Sequence, residues 1–348
     1  MKTKAPATQV YPLALAAWLV LTTLFRAWYA ATVELSPDEA YYWTWSLSLA
    51  AGYYDHGPAV AWLIRAGTAI FGDCELGVRA GALVCSVVTT TMVYLITYDL
   101  VAKRKHAFWA AILASLCPLF SVGAVVHTPD AVLVAAWSIA SWAGMRALRT
   151  DGITYWLGTG AAAGVAVLAK MTGLLFPFGF GIFLLTSKMG RTFLSRSGPV
   201  WALLAGAVLA APNLLWNVVQ SGGSFLFQFH HVTGGMAFAP HRALEFLGGQ
   251  AGVLSPILWF GLILFMASAW RREIRYGRWD AFYLWCLSGP LFLLVLLIAS
   301  VHKVEANWPA VAYLTALPGA AWAWRGGLWY PRRLRAWAIT AGAGKTRA

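Results

Sequence analysis

Apolar runs of about 20 residues, separated by short polar turns, recur along the whole of this sequence. Because a helix needs roughly 20 apolar residues to cross a bilayer, the pattern predicts an all-α, polytopic membrane protein with about ten transmembrane helices. The predicted spans are residues 10–31, 76–99, 107–126, 130–149, 154–169, 172–187, 199–217, 249–270, 280–300 and 309–324. No polar linker or low-complexity segment separates them, so we expect a single integral membrane domain over residues 1–348.

Two of the predicted outer loops are large. In the first, about 32–75, aromatic residues follow helical spacing after Pro37, and residues 58–71 form a second apolar stretch that is short for a span. Amphipathic helices lying in the membrane interface are typical of such stretches. The second loop, about 218–248, contains two glycine pairs and three histidines, and we expect it to be mobile.

Composition and charge narrow the class of protein. With 60% hydrophobic and only 11% charged residues, the chain is not an ordinary soluble domain, in which about a quarter of residues are charged. The net charge of +13 would suit nucleic acid. Threading the spans with the N-terminus in the cytoplasm, however, places most Lys and Arg residues on that side, as the positive-inside rule requires. We therefore expect membrane lipids and no nucleic acid as partners.

The few acids have the opposite bias, and most of the 13 Asp and Glu residues fall on the predicted outer face. Segment 36–39, Ser-Pro-Asp-Glu, has the residues of a helix start, with Glu39 completing a capping box. Capping does not require Asp38. Segment 128–130, Thr-Pro-Asp, repeats the arrangement. Asp38 and Asp130 are interpreted either as first-turn residues that suit the helix dipole or as groups that accept a proton or hold a cation.

Other polar residues in the predicted outer turns are candidates for ligand contacts. Asp55 and His56 precede a Gly-Pro turn, where Asp55 either caps the next helix or joins His56 at a phosphate or sugar hydroxyl. Lys170 interrupts an apolar hairpin and needs a partner; it either snorkels to the surface or binds a lipid phosphate. The same alternatives apply to three residues before the last predicted span, His302, Lys303 and Asn307.

Several familiar catalytic signatures are missing from the sequence. It contains no HExxH, GxSxG, Walker or dinucleotide-binding motif, and the histidines lack zinc-site spacing. We expect no metal ligands, and we expect Arg79 and Arg65 to form structural pairs with Glu75 and Asp73.

The order of these motifs resembles the GT-C glycosyltransferases, above all the family 39 branch of protein O-mannosyltransferases and bacterial aminoarabinose transferases. The early, more specific matches are Pro-Asp-Glu-Ala-Tyr-Tyr-Trp (37–43), Gly-Tyr-Tyr-Asp-His-Gly-Pro (52–58) and Phe-Gly-Asp-Cys-Glu-Leu-Gly-Val-Arg (71–79). The later matches are Thr-Pro-Asp (128–130), Leu-Ala-Lys-Met-Thr-Gly (168–173), Pro-Asn-Leu-Leu-Trp-Asn (212–217) and Val-Glu-Ala-Asn-Trp-Pro (304–309).

The resemblance implies the GT-C fold and a reaction. A sugar carried on a polyprenyl phosphate would pass, with inversion, to a lipid, glycan or protein hydroxyl on the periplasmic face of a bacterial inner membrane. By motif position, Asp38 is the candidate base with Glu39 beside it, Asp130 assists, and Lys170 and His56 are candidates near the donor phosphate. No cofactor is required, and Asp38 with Asp130 would be the place for a divalent cation if one is used.

The chemistry of the residues agrees with the resemblance on independent grounds. Displacement at an anomeric carbon needs one carboxylate to deprotonate the acceptor hydroxyl, while cations can stabilise a leaving phosphate. A glycosidase would instead need a protonated second acid. The main alternative is a transporter or lipid flippase, a class that places ionisable groups near the midplane on broken helices. A non-catalytic envelope-assembly component is a third possibility. Because the ionisable groups crowd one predicted edge, we prefer the transferase.

Overall fold

The computed structural model describes residues 9–233, 238–271 and 277–322. Within these ranges the chain is helical and contains no strand. The first helices are α1 (Val10–Thr32), α2 (Pro37–Leu47), α3 (Ala59–Phe71), α4 (Glu75–Val101), α5 (Arg104–Leu116), α6 (Pro118–Val122), α7 (Pro129–Thr150) and α8 (Ile153–Ala169). After a 3-10 turn at Met171–Leu174 follow α9 (Leu175–Thr186), α10 (Lys188–Arg191), α11 (Gly198–Val219), α12 (Gly223–Thr233), α13 (Pro240–Leu254), α14 (Pro256–Ser268), α15 (Trp279–Ala299) and α16 (Ala310–Trp322).

Five described helices are long and apolar enough to cross a membrane: α1, α4, α7, α11 and α15. Shorter apolar helices, among them α8, α14 and α16, lie between or beside them. The chain is therefore an integral, all-helical membrane protein, as the sequence predicts. Helix length does not establish the predicted total of ten spans.

Two predicted spans are each divided by a proline. The predicted span 107–126 consists of α5 and α6, which meet at Cys117–Pro118, and 249–270 is divided between α13 and α14 at Ser255–Pro256. The prediction of one continuous helix in each segment was wrong. A proline lacks the N–H that an uninterrupted helix uses and clashes with the preceding turn. Ser255 also adopts a positive φ of 92°, which a helix does not allow.

The bundle is centred on α7 and α8, and α8 packs closely against α11. Small residues allow this approach: a side chain at Gly160 would collide with the backbone carbonyl of Ala202. Close contact through glycine and alanine is the usual way in which membrane helices pack. Large buried rings, including Trp137, Trp156 and Tyr283, fill the neighbouring space. A rigid frame thus supports the loops at both ends.

The first predicted outer loop contains the two expected helices, α2 and α3. α3 buries Val60, Ala61 and Ile64, leaves Arg65 exposed and packs along α4. The second loop contains the helix α12, and its expected mobility stays a prediction, with residues 234–237 outside the described ranges. The start of α12 is held by the Asn217 side chain, whose oxygen accepts the N–H of Ser224 at 3.1 Å.

An ionic network joins α4, α7 and α15 at one end of the bundle. Arg146 Nε lies 2.8 Å from Asp99 Oδ2, and Arg149 lies 3.7 Å from the other Asp99 oxygen. Arg278 Nε pairs with Asp280 at 2.9 Å. The candidate site residues from the sequence lie near the opposite ends of these helices, where α2, α3 and the loop before α7 meet.

Candidate active site

The capping box predicted at the start of α2 is present. Ser36 Oγ accepts the backbone N–H of Glu39 at 3.3 Å, and Glu39 Oε2 accepts the backbone N–H of Ser36 at 2.9 Å. Pro37 occupies the first helical position. This local geometry fixes the direction in which the first turn of α2 presents its two acids.

Glu39 is completely buried (0% exposed) and makes a bidentate pair with Arg79. Arg79 Nε donates to Oε1 and Arg79 Nη2 donates to Oε2, both at 2.8 Å. The backbone N–H of His127 adds a bond to Oε1 at 3.0 Å. The expectation that Arg79 pairs with Glu75 was wrong, because Arg79 instead points toward α2. Sequence reasoning missed this pair since its members are far apart in the chain.

We call Glu39, Arg79 and His127 the Glu39 cluster, and its hydrogen bonds hold neighbouring segments of the chain together. Burial acts to raise the pKa of Glu39, but the hydrogen bonds from Arg79, Ser36 and His127 outweigh it and lower that pKa. Arg79 also donates to the carbonyls of two α1-end residues, Ala30 and Val33. The carboxylate therefore joins α1, α2, α4 and the loop before α7, with no oxygen directed at solvent.

His127 completes the Glu39 cluster as a buried, neutral ring. Burial lowers its pKa, and Nδ1 lies 2.6 Å from the carbonyl oxygen of Val78. Since only a protonated nitrogen donates to a carbonyl, Nδ1 carries the hydrogen. A side chain at Gly81 would collide with this ring at 2.5 Å.

Asp38 differs from its neighbour Glu39 in exposure and in hydrogen bonding. It is exposed, and within the described part of the chain its carboxylate has no hydrogen bond or ion pair. Four positions later on α2, Tyr42 lies on the same face of the helix. Asp38 is thus a carboxylate held by a rigid helix start and open to a substrate.

Tyr42 is the centre around which the predicted acids gather. It is buried, and burial raises its pKa, with further increases from the negative charges of Asp55, Asp38 and Asp130. Residues from three separate segments are therefore close enough to affect one phenol. Sequence reasoning did not select Tyr42 as a site residue, although its i, i+4 relation to Asp38 was a usable signal.

Asp55 and His56 lie beside α2. Tyr41 donates its hydroxyl to Asp55 Oδ1 at 3.0 Å, and burial raises the pKa of Asp55. The His56 ring lies 6.2 Å from the Tyr42 ring, centre to centre. A side chain at Gly57 would collide with the Leu168 carbonyl, so glycine allows this turn to sit against the end of α8.

Asp130, Lys170 and Asn307, which we call the rim cluster, meet although they are far apart in the sequence. Lys170 Nζ lies 3.0 and 3.3 Å from the two oxygens of Asp130. Asn307 Nδ2 donates to Asp130 Oδ2 at 2.6 Å. Thr128 precedes the helix as expected but makes no side-chain capping bond. The partner of Lys170 in the structure is thus Asp130.

The two other predicted residues of the last loop make local contacts. His302 Nδ1 is 2.6 Å from the carbonyl oxygen of Lys303. The Lys303 side chain is 83% exposed and lies 3.7 Å from Glu305. The structure therefore brings Asn307, but not Lys303, to Asp130.

A cavity of about 590 Å³ opens beside the rim cluster and extends between the helices. Asp130 and Asn307 line one part of it. Its wall is mostly apolar, with Ala131, Val134 and Val253 as examples, and α4, α5, α6, α7 and α13 all contribute to it. A polar rim on an apolar cavity is suited to an amphiphile whose head reacts while its tail is buried.

The described ranges contain no cluster of three His, Cys, Asp or Glu side chains that could hold a metal ion. At Asp130, Lys170 already contacts both carboxylate oxygens. A cation bound between Asp38 and Asp130 would have to compete with this ammonium group.

The fold is that of an integral membrane protein with a polar rim on an apolar cavity, and comparisons with known proteins narrow its class. Residues 55–216 match the family model described as dolichyl-phosphate-mannose-protein mannosyltransferase. The chain is 30% identical over 314 residues to lipid A galacturonosyltransferase RgtD of Rhizobium johnstonii, covering 88% of this chain and 63% of that protein. These similarities support the resemblance to the GT-C glycosyltransferases that the motifs show.

Two further proteins support this assignment. Undecaprenyl phosphate-alpha-4-amino-4-deoxy-L-arabinose arabinosyl transferase 2 of Proteus mirabilis is 26% identical over 311 residues, covering 82% of this chain and 55% of that protein. The crystal structure of ArnT from Cupriavidus metallidurans bound to undecaprenyl phosphate superposes with a TM-score of 0.67. It is 17% identical and covers 97% of this chain and 64% of ArnT, which shows the shared fold. This chain spans less than two thirds of the length of both curated relatives.

Proposed function

We propose that this protein transfers a sugar from a polyprenyl-phosphate donor to a hydroxyl of a lipid or glycan acceptor, with inversion. The observation that carries the proposal is the pairing of an exposed carboxylate, Asp38, with a polar rim on an apolar cavity. The names of the matched family and of both relatives describe glycosyl transfer, and two of the three name a prenyl-type phosphate donor.

In the proposed reaction, Asp38 accepts the proton of the acceptor hydroxyl as its oxygen bonds to the anomeric carbon. The bond from that carbon to the phosphate oxygen breaks on the opposite face, and the electron pair leaves with the polyprenyl phosphate. The products are the glycosylated acceptor, the polyprenyl phosphate and a proton on Asp38. The reaction needs no protonated second acid, because a phosphate is a competent leaving group when cations stabilise it.

The other site residues are assigned by position. Lys170, held by Asp130 and partly exposed, is assigned to the donor phosphate. Asp55 and His56 lie beside Tyr42 and are assigned to sugar hydroxyls or phosphate. Glu39 positions Asp38 rather than touching substrate. We place the site on the periplasmic side of a bacterial inner membrane, since the positive-inside pattern puts the basic loops at the opposite end.

We further propose that transfer proceeds without a divalent cation, because the Lys170 ammonium group takes the position at Asp130 that a cation would need. Addition of excess EDTA to the purified protein is expected to leave the transfer rate unchanged. A rate that falls with EDTA and returns with Mg²⁺ or Mn²⁺ would contradict this.

The experiment that tests the function uses the full chain purified in detergent or liposomes. Labelled polyprenyl-phosphate sugars and candidate lipid acceptors are supplied, and wild type is compared with Asp38→Asn. We expect labelled acceptor from the wild type and at least a 100-fold lower rate from the variant. Equal rates would overturn the assignment of the base. Movement of labelled lipid across liposomes without any transfer would instead establish a flippase.

A further inference from the structure

Arg26 is a buried cation inside the membrane-spanning part of the bundle. It lies on α1, about 9 Å from the end of that helix at the rise of an α-helix, and is 9% exposed. It lines the same cavity as Asp130 and Asn307. The candidate active site uses the rim of this cavity and leaves Arg26 without a role.

The contacts of Arg26 leave most of its hydrogen-bonding capacity unused. Nη2 donates to the carbonyl of Ser115 at 2.8 Å, and Nη1 lies 3.5 Å from Ser86 Oγ. A guanidinium group has five N–H donors. In the described ranges no carboxylate lies within ion-pair distance of it. Arg79, by contrast, donates to both oxygens of a carboxylate and to backbone carbonyls.

Stabilising the break between α5 and α6 does not explain the charge of Arg26. Pro118 cannot supply a helical N–H, and the Ser115 carbonyl lies next to the interruption. That carbonyl already accepts the hydroxyl of Ser121 at 2.9 Å. A neutral donor thus satisfies it, whereas a buried cation without a counter-ion is costly.

The surroundings of Arg26 have the chemistry of a site for a phosphate group on a hydrocarbon chain. Three hydroxyl-bearing residues, Ser86, Thr89 and Thr90, also line the cavity, and Ser86 Oγ lies 3.5 Å from Arg26. The remaining wall is largely apolar. A planar guanidinium group binds phosphate oxygens in bidentate fashion, and the apolar wall suits acyl or prenyl chains.

We propose that Arg26 binds the phosphate group of a lipid that occupies this cavity, at a subsite separate from the rim cluster. The phosphate chemistry follows from a buried guanidinium group that has no carboxylate partner in the described ranges. The identity of that lipid as a polyprenyl phosphate rests on the proposed function, and an anionic glycerophospholipid is the other source of the same group. Among the described residues that line this cavity, Arg26 is the cation, and it lacks a carboxylate partner there.

The test is a binding measurement on the full chain in neutral detergent that involves no sugar transfer. The probes are decaprenyl phosphate, its uncharged match decaprenol, and phosphatidylglycerol, each compared with wild type, Arg26→Gln and Arg26→Lys. Arg65→Gln, an exposed arginine outside the cavity, is the matched control. We expect wild type and the control to bind a phosphate probe at least tenfold more tightly than decaprenol.

Arg26→Gln is expected to lose this preference while retaining its affinity for decaprenol, and Arg26→Lys to retain part of it. A role limited to supporting the Ser115 carbonyl would change stability without changing the ratio of phosphate to alcohol binding. If Arg26→Gln does not fold, the Arg26→Lys ratio decides. An unchanged ratio in the folded variant overturns the proposal. The probe with the Arg26-dependent preference, decaprenyl phosphate or phosphatidylglycerol, identifies the lipid, and this result stands whether or not transfer is observed.

Discussion

Asp38 and Glu39 are neighbours in sequence, yet the fold places them in opposite environments. Glu39 accepts four hydrogen bonds and is sealed from solvent. Asp38 is exposed and faces the group of acids around Tyr42. A buried carboxylate whose lone pairs are all used can hold helices together, but it cannot take a proton from a substrate. The helix start thus places one carboxylate in a structural pair and leaves the other exposed, where we propose that it acts as the base.

The basic residues show the same contrast. Arg79 is enclosed, and its donors are matched by a carboxylate and backbone carbonyls. Lys170 contacts one carboxylate, that of Asp130, and remains partly exposed. A saturated pair fixes geometry, while a cation with remaining donors can also contact a ligand. The difference predicts which substitutions affect folding and which affect chemistry.

The largest expected effect is on folding, from Glu39→Gln. This change leaves Arg79 buried without a counter-ion, and breaking such a pair costs about 3–5 kcal/mol. Chemical or thermal unfolding of the purified protein in detergent measures it. Glu34→Gln is the control, because the Glu34 side chain is exposed, and it should change stability little. Equal, small effects of both changes would show that the Glu39 cluster is not a support.

A smaller effect, on activity, is expected from the rim cluster. Asp130→Asn removes the charge that holds Lys170, and we expect a transfer rate about 10- to 100-fold lower with little change in unfolding temperature. Because the two side chains act as a unit, Lys170→Met combined with Asp130→Asn should cost less than the product of the single effects. Strictly multiplicative effects would indicate that the two residues act independently.

The smallest expected effect concerns acid stability. The pKa of Glu39 is lowered in the folded state. Its ionised carboxylate therefore stabilises the fold at pH values above the pKa of the unfolded chain, about 4.3, and this stabilisation is lost as pH falls through the folded-state pKa. The unfolding temperature of the wild type should therefore fall below about pH 4 more steeply than that of Glu39→Gln. Parallel curves for the two proteins would contradict the role given to the ionised carboxylate.

Local patterns predicted much of this molecule, and long-range contacts account for what was missed. The capping box, the helices of the first loop and the membrane spans follow from spacing and hydropathy. The motifs pointed to Asp130, Lys170 and Asn307, although nothing in the sequence showed that they touch. The Glu39–Arg79 pair was missed because its members are 40 residues apart in the sequence. The helix breaks at Pro118 and Pro256 were missed because the apolar runs continue across them.

The most direct test of the central claim compares Asp38→Asn with Glu39→Gln in one experiment. The transfer rate per folded molecule and the unfolding temperature are measured for both variants under conditions where each is folded. The account predicts that Asp38→Asn unfolds like the wild type but transfers sugar at least 100-fold more slowly. Glu39→Gln should unfold at a lower temperature and keep most of its rate per folded molecule. The reverse pattern, with activity retained in Asp38→Asn and lost in well-folded Glu39→Gln, would contradict it.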